Sequence, residues 1–232
     1  MNVALLISGA LRSYQRCLPS LANHIVASNP EHKVDTYLNV WDDTLNYVGF
    51  NNEECCAEFV DLSKIYEHKQ SLNIKKVSIE TYKDSEIVKS IESQLHTTYK
   101  NGEGGMQHNS RNSLLFYHRL METNNMKFSA TGYDVVIRCR PDLMFHSKLD
   151  LENIEDNTVY FPHINCYGPG MCNDQFYLGK TDVMDKIFGV FNNAETIANG
   201  FGTLHPESIL YFQILHHGIT INKRTIEYHI ER

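Results

Sequence analysis

The stretch Tyr133–Phe145, YDVVIRCRPDLMF, decides how the rest of the chain is read. Val135, Val136 and Ile137 are the β-branched apolar run that a strand covered on both faces needs. Arg138, Arg140 and Asp142 then occupy alternate positions, which in an extended chain share one face. Pro141 stops the ladder and is placed to turn Asp142 away, before Leu143, Met144 and Phe145 return to apolar character. A core strand that ends in two arginines and a carboxylate either meets a charged ligand there or closes on itself as a structural cluster.

Outward from this strand, apolar runs alternate with helical patterns. NVALLISGA reads as a buried strand entering a tight turn at Gly9. SYQRCLPSLANHIVAS has Leu18, Leu21 and Ile25 at helical spacing, with Pro19 predicting a helix start near it. KVDTYLNVWDD is a second strand, KKVSIETY a third, and SEIVKSIESQLHTTYK an amphipathic helix. Between these, a helix is expected around EECCAEFVDL, and the glycine-rich NGEGGMQHNS reads as a loop. SRNSLLFYHRLMETN is a helix capped by Asn109 or Ser110. NTVYFPHINC and the end of CYGPGMCNDQFYLG read as strands, KTDVMDKIFGVFNNAETI and HPESILYFQILHHGI as helices, and ITINKRTIEYHI as a closing strand. The alternation predicts an α/β fold with a parallel or mostly parallel sheet flanked by helices. In such sheets ligands bind beyond the carboxyl ends of the strands.

Composition narrows the function. The chain of 232 residues is 42% hydrophobic and 21% charged, enough for one good core. A net charge of −7 argues against non-specific nucleic-acid binding, which needs a basic face. No run reaches the ~18 apolar residues of a membrane span, and VALLISGAL lacks the flanks of a signal peptide, so a soluble, cytoplasmic protein is expected. The six cysteines form no CxxC pair and are read as reduced thiols.

The candidate site residues gather at strand ends. Two guanidiniums, Arg138 and Arg140, suit a diphosphate, and Asp142 suits a divalent metal or a sugar hydroxyl. Gly9 lets backbone approach a ligand, and Arg12 follows it at phosphate reach. Asp42 or Asp43 of WDD stands where a ribose or base edge could bind, or is a solvated turn. Asp174 and Gln175 of NDQF enter an apolar segment, which suits side chains facing a pocket; turn formation by Asn173 and Asp174 is the competing reading. Glu207 opens a helix, where the helix dipole alone would account for it.

Taken in order, VALLISGALRSY, WDD, SRNSLLFYH, YDVVIRCRPDLMF, NDQFYLG and HPESILYFQILHHGI resemble the motif order of small GT-A-like glycosyltransferases of large DNA viruses, phages and bacterial surface-polysaccharide clusters. The resemblance spans the chain apart from roughly residues 44–100. It implies one GT-A-like (Rossmann-like) α/β domain over residues 1–232, with a mixed, mostly parallel sheet, that transfers a sugar from a nucleoside-diphosphate sugar to a hydroxyl of a glycan, glycoprotein or lipid-linked acceptor. It implies donor binding by Ser8, Gly9, Arg12, Asp42, Arg111, Arg138 and Arg140, and Asp174 as catalytic base with Glu207 second. The family's metal-binding Asp-x-Asp falls on Arg140-Pro141-Asp142, so that arginine replaces the first acid and Asp142 is left as the ligand for Mn²⁺ or Mg²⁺; alternatively Arg138 and Arg140 neutralise the leaving diphosphate and no metal is needed. A non-catalytic nucleotide- or carbohydrate-binding module is the alternative from another class. A kinase-like or sulfotransferase-like phosphate loop at SGALRS is disfavoured, because the lysine and second glycine of that motif are missing.

Overall fold

A computed structural model describes residues 1–41, 47–48, 54–55, 61–80, 86, 89–90, 110–128, 132–163, 170–201 and 205–231. Its centre is β1 (Asn2–Ala10), whose residues Val3 to Ile7 are fully buried. Val3, Leu5 and Ile7 face one apolar layer, and Ala4 and Leu6 the other. A strand covered on both sides can be apolar at every position, and each such Leu or Ile contributes roughly 1.5–3 kcal/mol by burial.

From β1 the chain passes through α1 (Tyr14–Leu21), which continues as π-helix over Ala22–Ala27, to β2 (Lys33–Trp41). Pro19 lies inside α1 and does not start it; the helix begins at Tyr14, whose ring, with Leu18 and Leu21, is buried against the sheet. Burial of that stripe outweighs the signal of the proline. A two-stranded ribbon, β3 (Tyr47–Val48) and β4 (Glu54–Cys55), precedes α2 (Leu62–Glu67) and β5 (Ile74–Glu80). Part of the segment expected to be helical around residues 53–62 is therefore strand at Glu54–Cys55.

The long α3 (Ser110–Lys127) returns the chain to β6 (Val135–Cys139), and β7 (Leu143–Phe145) follows a turn at Pro141 and Asp142. After β8 (Thr158–Pro162) and β9 (Phe176–Lys180), the expected single helix is two, α4 (Thr181–Phe188) and α5 (Val190–Phe201), broken at Gly189. Then come α6 (Pro206–His216), with Pro206 in its first turn, β10 (Thr220–Arg224) and β11 (Tyr228–Ile230). The expected last strand thus splits: β10 joins the main sheet, and β11 pairs antiparallel with β7.

Seven strands form the main sheet in the order β10-β8-β9-β6-β1-β2-β5. All pairings are parallel except those of β9, which runs antiparallel to β6 and β8. This is the mixed, mostly parallel α/β sheet expected. Helix α1 covers one face; α3, α4, α5 and α6 pack on the other. The chain leaves β1 toward β2 and comes back to β6 on the other side of β1. The order of strands therefore reverses between β1 and β6, where a parallel sheet opens a crevice at its carboxyl edge. Because β9 runs the other way, it brings its amino-terminal residues to this same edge, with Phe176 opposite Cys139.

Gly9 sits at this reversal point with φ of 136°, and a Cβ added there would lie 3.4 Å from Cδ of Pro141. Both the backbone and the neighbouring ring select glycine. Gly9→Ala should lower stability by about 1–3 kcal/mol, measured as a fall in the urea midpoint at unchanged denaturant slope.

Candidate functional site

The carboxyl edge between β1 and β6 carries two polar clusters, one on each face of the sheet. On the α1 side, Asp142 is 1% exposed and takes a two-pronged contact from Arg140, with Nε donating to Oδ1 at 2.9 Å and Nη2 donating to Oδ2. Arg12 donates from Nη1 to the same Oδ2 at 3.3 Å. Burial raises the proton affinity of this carboxyl, but Arg140 and Arg12 overcome it and hold the pKa below the usual carboxylate value. The turn at Pro141 takes Asp142 off the face of Arg138, so the three charged residues do not share one face as strict alternation predicts.

This donor set does not fit the expected Mn²⁺ or Mg²⁺. Both oxygens of Asp142 already accept from guanidiniums, and the position of the missing first acid is one of those guanidiniums. Asp142 anchors a charge cluster with Arg140 and Arg12.

On the α3 side stands Arg138, fully buried and opposite Tyr177 in the β6–β9 register. Its Nη1 donates to the Gln175 carbonyl at 3.1 Å and its Nη2 to the Ser8 carbonyl at 3.3 Å. The Phe116 ring lies 5.3 Å from the guanidinium carbon. Among the described residues the Nε has no acceptor, no carboxylate forms an ion pair with this side chain, and the buried Tyr177 hydroxyl beside it also lacks a partner. Burial lowers the proton affinity of Arg138, and the negative charge of Asp174 works to restore it. Such a cation is costly: an incompletely compensated buried charge is a penalty of several kcal/mol.

Asp174 and Glu207 are brought to the same neighbourhood by different devices. The buried Asn173 bends the chain into β9 by accepting from the backbone N–H of Gln175 (2.8 Å) and Phe176 (3.2 Å), and it donates to Tyr228 Oη at 2.9 Å. Turn formation is thus the work of Asn173, and Asp174 is left partly exposed with no hydrogen bond or ion pair through its carboxylate among the described residues. Glu207 is held in the first turn of α6, whose start is tied to α3 by the Tyr117 hydroxyl donating to the Pro206 carbonyl. The Cys172 N–H donates to the Glu207 carbonyl at 3.1 Å, and His205 Nδ1 lies 3.5 Å from Oε2. Burial, with the charge of Asp174 second, pushes the Glu207 carboxyl up to about 7. Desolvation here outweighs the helix dipole, which acts the other way.

A further cluster on the α3 side was not anticipated. Arg119 lies 3.4 Å above the Trp41 ring, donates to Asn39 Oδ1, and meets Glu80 Oε2 at 2.9 Å. Burial lowers its pKa to about 10. The sequence signal was the polar Asn39 within a buried strand run and an arginine amid LLFYHRLM. Of the other expected donor residues, Ser8 contributes its carbonyl, and Gly9 its close approach. Asp42 lies outside the described residues, and of Arg111 only its place in α3 is described.

A scan against models of protein families finds no match, and a search of curated proteins finds none either. Among the described residues no helix is long and apolar enough to cross a membrane.

Two pH signatures follow from opposite shifts. The depressed Asp142 pKa stabilises the fold above the ordinary carboxylate value of 3.8, and that contribution is lost as pH falls through the lower folded pKa. Asp142→Asn should cost about 2–3 kcal/mol at pH 7, with the gap to wild type closing in acid, read by urea melts across pH. Glu207 runs the other way. Between pH 4.5 and about 7 the folded chain keeps a proton that the unfolded chain has released, so stability falls as pH rises. Glu207→Gln should remove that slope and exceed wild type above neutrality by roughly 2–3 kcal/mol.

Proposed function

We propose that this chain is a nucleotide-sugar-dependent glycosyltransferase of GT-A-like type, working without a metal at Asp142. The observation that carries the reading is Arg138: a fully buried guanidinium at the reversal point of the sheet, with two carbonyl partners and, among the described residues, no carboxylate and an unpartnered Tyr177 hydroxyl beside it. A phosphate oxygen of the donor would satisfy both groups and supply the missing counter-charge. In the transfer, the acceptor hydroxyl oxygen bonds to the anomeric carbon as the bond from that carbon to the diphosphate breaks. The nucleoside diphosphate leaves with the electron pair, stabilised by Arg138. Glu207 takes the hydroxyl proton; a base with pKa near 7 is matched to neutral pH, and burial, with the charge of Asp174 second, brings it there. The structure thus shifts preference for the base from Asp174 to Glu207.

The competing reading is a binding module that holds nucleotide sugar and transfers nothing, and Arg140, standing in place of the first metal acid, favours it. Turnover separates the two. A thermal-shift screen of UDP, GDP, CDP, dTDP and their sugars, with and without Mn²⁺, should give a base-selective rise in midpoint that is indifferent to the metal. The stabilising sugar nucleotide should then release nucleoside diphosphate in the presence of acceptor. Glu207→Gln should cut that release by about 10²–10⁴-fold with donor affinity within a few-fold of wild type. Binding without release assigns the chain to the module reading, and no shift with any nucleotide removes the donor site altogether.

A further inference from the structure

At the opposite edge of the sheet, where β2 begins, a histidine is buried in an unusual state. His32 has a side chain only 8% exposed, and neither of its ring nitrogens has a hydrogen-bond partner. Its Nε2 lies 3.8 Å from Oε1 of Glu31 and 4.0 Å from Oε1 of Glu152. These separations exceed hydrogen-bond length, although Glu31 and Glu152 are exposed enough to swing closer. One donor atom from each of the three residues lies within 4.8 Å of the others. Ligands bonded to one tetrahedral Zn²⁺ at about 2.0–2.2 Å are separated by about 3.3–3.5 Å, so small rotations of the glutamates would bring the set to bonding distance.

We propose that His32, Glu31 and Glu152 bind one divalent cation of the zinc class, with solvent in its remaining position. One imidazole and two carboxylates is a donor set that suits Zn²⁺ and its transition-metal neighbours better than Mg²⁺ or Ca²⁺, which prefer all-oxygen shells. Both limbs are held in place. The His32 N–H donates to the Asn29 carbonyl at 3.0 Å, and Asn29 in turn donates from Nδ2 to the carbonyls of Ile25 (2.9 Å) and Leu149 (3.1 Å). On the other limb Arg224 donates to the carbonyls of Asp150 (3.0 Å), Glu152 (2.6 Å) and Asn153 (2.9 Å), fixing the backbone that carries Glu152. The Glu152 N–H also donates to Asp150 Oδ1 at 2.8 Å. Lys148 is the competing cation, with Nζ 3.3 Å from Glu31 Oε1, and metal entry displaces it. Nδ1 of His32 lacks the acceptor that usually supports a ligating imidazole, so affinity should be about 10–100-fold below that of a fully supported site.

The bound metal would link the turn before β2 to the segment before β8, and this requires nothing of the nucleotide reading. The test is titration of the purified chain with Zn²⁺ by calorimetry, with Co²⁺ visible absorption as a report on coordination. One ion per chain should bind and raise the thermal midpoint. His32→Ala should weaken that binding more than tenfold, and Lys148→Met should tighten it several-fold. Glu152→Gln, at an exposed side chain, gives the same answer if His32→Ala does not fold. Absence of binding at millimolar Zn²⁺, or binding untouched by His32→Ala and Glu152→Gln, overturns the site and leaves a histidine paired only with its two glutamates.

Discussion

The guanidinium of Arg138 is the constraint on which the carboxyl edge of the sheet depends. It reaches from β6 to the Ser8 carbonyl on β1 and to the Gln175 carbonyl at the start of β9, so one side chain joins three strands where the order of the sheet reverses. Parallel strands leave backbone groups at their ends that need acceptors and donors from elsewhere. A cation satisfies two such carbonyls at once, at the cost of being enclosed without a counter-ion among the described residues. An apolar residue there would avoid that cost and leave both carbonyls without this donor. The edge is therefore built around a charge that protein groups compensate only in part, and this makes an anionic ligand physically reasonable.

Much of the fold was legible because its core strands carry unmistakable runs. VALLI, VVI and KVDTYLNVW are covered on both faces and read as strands without help from tertiary structure. The failures have local causes. Pro19 looked like a helix start, but the buried stripe of Tyr14, Leu18 and Leu21 begins the helix earlier. ITINKRTIEYHI looked continuous, yet β11 pairs with β7 and leaves β10 alone in the main sheet, a choice of partner that periodicity does not encode.

The site was legible in residue type and not in partnership. Arg138, Arg140 and Asp142 announced a charged strand end, but alternation assumes an extended chain and Pro141 breaks it. The sequence could not say that Arg12, distant along the chain, would close on Asp142 and occupy a lone pair that a metal needs. Nor could it rank Asp174 against Glu207, since the ranking rests on how much water each carboxylate loses on folding. Arg119 was missed for a related reason: an arginine inside a helix is ordinarily solvated, and only the placement of Trp41 and Asn39 beneath it makes it a buried one.

The contrast between Asp142 and Glu207 shows how one edge holds two acids in opposite protonation regimes. Each carboxyl is desolvated, and desolvation alone would raise both. Asp142 has two guanidiniums in contact and stays ionised, which makes it a fixed counter-charge with little proton to exchange. Among the described residues Glu207 has no guanidinium to offset its burial, with the charge of Asp174 adding to it, and so it retains its proton to about neutral pH. A group that titrates near the working pH can take up and give back a proton with little driving force against it in either direction. A group tied to two cations would have to break both contacts first. The surroundings alone therefore divide the acids, with Asp142 ionised and holding the turn that shapes the edge, and Glu207 able to exchange a proton near neutral pH.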